Sequence, residues 1–191
     1  MTLLASKPSL FSPDQDMQRL KRMSCLLSLL CLVLIVALPP LFAWFWAVAA
    51  PAQLAARINL RADVVQGSLM LWQRVAGGCV SAVPLGLLLA GLWQARKCLG
   101  LFADGQIFTL QAVTALKRFA CLATASFASS FLASTASSTL ITFNNAPGTR
   151  HIAVGISTDQ ALALFFAGLI WVMAAVMAQG LHLVEENANF V

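Results

Sequence analysis

Four long stretches without charge limit the possible folds of this chain more than any other feature. The first covers 23–48 and lies in a run with no charge between Arg22 and Arg57. The second covers 75–95, between Arg74 and Arg96. The third, 119–143, stays uncharged until Arg150, and the fourth, 160–183, contains only His182 as an ionisable group. A helix needs roughly 20 apolar residues to cross a bilayer, and each stretch meets that length. Helices are expected because hydrocarbon cannot satisfy backbone N–H and C=O groups. The alternating pattern of a membrane barrel is absent. Only 10% of the residues are charged, against about 25% in a soluble domain, which argues against a water-soluble enzyme and against disorder. The net charge of +5 comes from 12 Lys and Arg residues, too few and too scattered for a phosphate-binding face. No direct nucleic-acid partner is expected; the lipid bilayer is.

The positive charges set an orientation. The N-terminal segment holds Lys7, Arg19, Lys21 and Arg22, and the connection between spans two and three holds Arg96, Lys97, Lys117 and Arg118. The other two connections hold Arg57, Arg61 and Arg74, then Arg150 alone. This bias places both termini inside, with the long connection 49–74 outside. The first stretch is read as a span and not as a cleaved leader, because its apolar run is long and Trp44 and Trp46 suit an interface. The implied location is a membrane crossed four times.

The two halves, about 10–109 and 108–191, resemble each other. Leu20-Lys21-Arg22 and Cys25-Leu26 precede span one; Leu116-Lys117-Arg118 and Cys121-Leu122 precede span three. Span two is followed by Asp104-Gly105 and Phe108, and span four by Glu186-Asn187 and Phe190. Each half reads as a lead-in, a hairpin of two spans and an acid-turn-Phe tail. Both halves begin inside, which implies a parallel repeat about the membrane normal. The expected fold is therefore all-α: one polytopic four-helix bundle with a parallel twofold pseudo-repeat and short interfacial helices on the cytoplasmic side. Gly105 and Asn187 suit the left-handed conformation that ends helices. Thr109 suits the cap of a short helix over 110–117, and Ser12-Pro13 the start of one over 13–22.

Membrane helices approach closely where side chains are small. Span two carries Gly78, Ala82, Gly86 and Ala90 at a spacing of four; span three carries Ser126, Ser130, Ser134 and Ser138 at the same spacing. Both rows are read as packing faces, with span three the most buried. Pro84 removes a backbone donor and frees the carbonyl of Val80, which a Ser or Thr of a neighbouring span can satisfy. The other reading of the Ser face is the lining of a polar passage or ligand cavity.

The span centres carry no charge, which argues against a proton pump, a coupled transporter or a voltage sensor. His151 and His182 are far apart in sequence, and the five cysteines form no C-x-x-C pair, so neither a metal site nor a disulfide framework is expected. No phosphate loop, nucleophile elbow or catalytic dyad appears. No cofactor and no catalytic residue is assigned. Asp104, Glu185 and Glu186 are read as partners of Lys21, Arg22, Lys117 or Arg118 in a cytoplasmic collar.

The run Pro84-Leu85-Gly86-Leu87 through Leu92-Trp93-Gln94, then Phe102-Ala103-Asp104-Gly105-Gln106-Ile107-Phe108-Thr109, resembles the bacterial domain-of-unknown-function 2975 family. So does the ending with Gly180, Leu183, Glu186-Asn187 and Phe190-Val191. The resemblance implies a four-span inner-membrane protein and supplies no activity. Some similar proteins sit beside small helix-turn-helix regulators, so the resemblance also hints at a regulatory partner.

The resulting expectation is a non-enzymatic membrane protein that acts through contacts. Its docking surface comprises Lys21, Arg22, Asp104, Phe108, Lys117, Arg118, Glu186 and Phe190, facing a cytoplasmic protein or a second copy of the chain. The alternative is a site for a small apolar ligand, such as a lipid or quinone, between the helices near Pro84.

Overall fold

The computed structural model describes residues 13–50, 53–54, 70–106, 109–143 and 158–188. It contains four long helices: α1 (Pro13–Val48), α2 (Leu71–Ala103), α3 (Leu110–Ile141) and α4 (Thr158–Ala188). All four are long and apolar enough to cross a membrane. At 1.5 Å per residue, helices of 31 to 36 residues are roughly 46–54 Å long, well beyond a hydrocarbon core of about 30 Å.

That excess length alters one expectation. The segments 13–22 and 110–117 are not separate interfacial helices; they are the first turns of α1 and α3. No Pro, Gly or turn sequence stands between lead-in and span, so the helical hydrogen bonding continues through Arg22 and Arg118. The caps are otherwise local and specific. Thr109 Oγ1 accepts from the backbone N–H of Ala112 at 3.2 Å and starts α3. Gly105 has φ +80°. The N–H of Gly105 bonds to Phe102 O and that of Gln106 to Leu101 O, the paired bonds that close a helix end around a left-handed residue. Asn187 does not play the matching part, because α4 continues through it to Ala188. Pro39 and Pro40 lie inside α1 without ending it.

The helices pack in chain order. The α2–α3 pair has the most extensive interface, followed by α1–α2 and α3–α4. No comparable interface joins α1 to α4 among the described residues. Among the described residues the helices form a row, and the expected twofold pseudo-repeat is not shown: a twofold axis would repeat the α2–α3 contact between α4 and α1.

The α2–α3 hairpin is antiparallel along its whole length, and four contacts fix its register. Gln73 Nε2 donates to Leu140 O at 3.0 Å, and Ser126 Oγ donates to Pro84 O at 2.7 Å. A Cβ added to Gly91 would stand 3.5 Å from Leu122 Cβ. Cys98 Sγ lies 3.6 Å from Ala112 O, as donor to that carbonyl. The seam in α2 follows Pro84, Gly91 and Cys98, seven residues apart, and its partners Ser126, Phe119 and Ala112 follow the same interval. Seven residues fall nearly on two helical turns, the condition for a straight contact line between left-handed crossing helices.

The outward surface is apolar. Leu26, Trp44, Leu71, Leu132, Phe165 and Trp171 are each at least half exposed. Of the most apolar window of each helix, between 0% and 22% is buried, with the maximum in α3. Water would leave this surface aggregating, whereas lipid solvates it at no cost.

Candidate functional site

Polar groups gather at the two ends of the α2–α3 hairpin, and the ends differ. At the end formed by residues 70–74 and 137–143, most polar groups are consumed by structure; among the described residues the exception is Ser137, whose buried Oγ has no hydrogen-bond partner. Gln73 is 2% exposed; its Oε1 accepts from the N–H of Met70 while its Nε2 reaches Leu140 O. One side chain thus satisfies the start of α2 and the end of α3, where helices lack internal partners. Arg74 Nη1 donates to Trp46 O and Ala47 O, placing a cation on the carbonyl end of α1, where the helix dipole favours it. Trp46 lies over Gly77: a Cβ there would stand 2.6 Å from Trp46 Cη2. The ring of Trp72 meets Phe143 edge-on at 6.1 Å.

The other end is open. A cavity of about 590 Å³ lies where α2 leaves the apolar layer and α3 enters it. From α2 it is lined by Gln94, Lys97, Leu101 and Asp104, and from α3 by Gln111, Thr114, Ala115 and Arg118. These positions recur at three and four residues, so each set forms one helical face. Lys97, Asp104, Gln111 and Arg118 are exposed. None of the three charged groups forms an ion pair among the described residues. Lys21 of α1 also reaches the turn, its Cε 3.9 Å from the point where a Gly105 Cβ would stand.

The residues singled out in the sequence are therefore divided. Lys21, Arg22, Asp104, Lys117 and Arg118 share the open end, all exposed. The ion pairs expected for a collar do not close among the described residues, in keeping with the small net gain of exposed pairs against side-chain entropy. Glu185 and Glu186 lie on the last turns of α4, with their side chains outside the description. Phe108 and Phe190 lie outside the described residues.

The small-residue rows need correction. Gly78 faces Trp46, but Ala82, Gly86 and Ala90 are exposed, and nothing of the chain comes within 4 Å of a Cβ on Gly86. Four residues advance a helix by about 400°, so such a row turns about 40° per step and leaves the contact line within three steps. The same rotation carries the Ser row around α3: Ser126 and Ser138 are buried, Ser130 and Ser134 half-buried. Ser130, Ser134 and Ser138 donate to the carbonyls of Phe127, Phe131 and Thr135 in their own helix. Ser126 does cross to the proline of α2, but it bonds to Pro84 O and not to Val80 O. Sequence reasoning also missed Gln73, whose only advance signal was a polar residue one turn before Gly77 and Gly78.

Fold and surface define a multi-pass helical membrane protein. Within that class the chain belongs to the family described as protein of unknown function DUF2975, whose model matches residues 26–191. Comparison with curated proteins and with solved structures brings no match.

Proposed function

We propose that this protein is a non-enzymatic membrane protein of the bacterial inner membrane, acting through contacts at its basic end, with both termini and the α2–α3 turn on the cytoplasmic side. The orientation follows the charge bias, and charges beside anionic headgroups contribute about 1 kcal/mol each. One observation carries the functional reading: Lys21, Arg22, Lys97, Asp104, Lys117 and Arg118 lie at one end without internal ion pairs among the described residues, while Gln73 and Arg74 of the opposite end are spent on joining helices. Groups left unpaired at a working surface are available to a partner; groups bonded internally are not. The tails with Phe108 and Phe190 extend this surface in the proposal and supply its apolar anchors.

The apolar-ligand reading near Pro84 has less support, because Ser126 bonds directly to Pro84 O, whereas a cavity opens at the basic end. The test is site-specific photocrosslinking in intact membranes, with the reactive group at Arg22 in one protein and at Phe143 in another. A discrete cytoplasmic protein crosslinked from Arg22 only, and lost in a Phe108→Ala, Phe190→Ala double variant, is the expected result. Equal crosslinking from both ends, or none from Arg22, contradicts the proposal.

A further inference from the structure

The open cleft has an ordered charge pattern. In the register fixed by Cys98–Ala112 and Gly91–Leu122, Arg118 stands level with Gln94, close to Lys97, and both cations lie on the membrane side of the cleft. Asp104 lies seven residues further along α2, about 10 Å nearer the turn by helical rise. Positive charge is therefore deeper and negative charge shallower along the same face.

A phospholipid with an amine in its headgroup has the complementary order: phosphate next to the glycerol, ammonium outside it. We propose that the cleft binds an aminophospholipid headgroup, its phosphate between Lys97 and Arg118 and its ammonium toward Asp104. Arg118 offers a planar fork of donors and Lys97 a point charge, the two cationic modes of phosphate binding. The amides of Gln94 and Gln111 supply neutral hydrogen bonds on either side. The apolar Leu101 lies on the same face between Lys97 and Asp104, beside the carbon link that joins phosphate to ammonium. A volume of about 590 Å³ falls within the usual size of a small-molecule site.

Asp104 gives the specificity. It is the C-cap residue of α2, where the helix dipole disfavours a carboxylate. Lys21 passes near the turn, yet no ion pair to Asp104 forms among the described residues, so the carboxylate is free for an ammonium group. It repels a headgroup that carries only negative charge. This assignment extends the reading of the basic end as the working end, but requires no docked protein. Nor does it depend on which leaflet that end faces.

The test uses the full chain in nanodiscs of equal phosphatidylethanolamine and phosphatidylglycerol, released into detergent for native mass spectrometry of the retained lipid. Wild type is expected to retain phosphatidylethanolamine. The Lys97→Ala, Arg118→Ala double variant is expected to lose roughly tenfold of that retention, the effect of one charged hydrogen bond or more. Asp104→Asn leaves both cations in place and is expected to shift the retained lipid toward phosphatidylglycerol, a readout independent of the double variant's folding. Equal retention of the two lipids by wild type, or an unchanged ratio in Asp104→Asn, overturns the proposal. Displacement of the lipid by soluble glycerophosphoethanolamine would assign the site to a free phosphate ester and likewise overturn the lipid assignment. Because retention is read on purified protein, it stands or falls separately from the crosslinking test of protein docking.

Discussion

The two ends of the α2–α3 hairpin are built from similar residue types and used in opposite ways. At one end Gln73, Arg74 and Thr142 bond to the carbonyls of Leu140, Trp46, Ala47 and Ser138, and Leu54 is 2% exposed beyond α1. At the other, Lys97, Asp104 and Arg118 line an open cleft without ion pairs among the described residues. A polar group taken out of solvent must find a partner or cost about 1–3 kcal/mol. The sealed end meets that requirement internally at Gln73, Arg74 and Thr142, with the buried Ser137 Oγ as its exception, and so fixes helix position. The open end leaves its groups to water, headgroups or a protein, and so contributes little to folding.

Substitutions at the two ends therefore separate stability from binding. The largest loss is expected at Gly77, where any Cβ meets Trp46. Gly77→Val should cost about 1–3 kcal/mol through overpacking, read as a fall in unfolding temperature in detergent. Gly86→Val, in open space, should leave that temperature nearly unchanged, and an equal fall in both would break the assignment of the Gly77–Trp46 contact. Gln73→Leu comes next in breadth of effect. It removes the bond that ties α2 to Leu140 O and leaves the Met70 N–H without its acceptor, with about 1–3 kcal/mol lost in the same measurement. Ser126→Ala should cost less, about 0.6 kcal/mol, typical of hydrogen bonds between membrane helices. The smallest effect belongs to the open end: the Lys97→Ala, Arg118→Ala variant should unfold within about 0.5 kcal/mol of wild type while losing its lipid. A marked destabilisation there would show that the open end, too, holds the fold together.

Features governed by local chemistry were legible in the sequence. Uncharged length announced four helices, Gly105 its left-handed turn, and Thr109 its cap. Features governed by rotation between helices were not. A row at a spacing of four, such as Gly78 to Ala90, resembles a contact face on paper, yet it winds about 120° around the helix over three steps. The true α2–α3 seam, Pro84-Gly91-Cys98, mixes residue types and only its interval of seven marks it. The similarity of the two halves suggests a twofold bundle, but similar lead-ins impose no contact between α1 and α4. The open cleft was hidden for another reason: Gln94, Gln111 and Thr114 are ordinary surface residues until the antiparallel register aligns them with Lys97 and Arg118.

The central claim is that the sealed and open ends lie on opposite sides of a membrane. Single cysteines at Asp104 and at Phe143, in a chain cleared of its five native cysteines, allow a direct test with a membrane-impermeant maleimide. The account predicts labelling at 143 from outside intact cells, and at 104 only once the inner face is exposed. Labelling of both positions from the same side would contradict it.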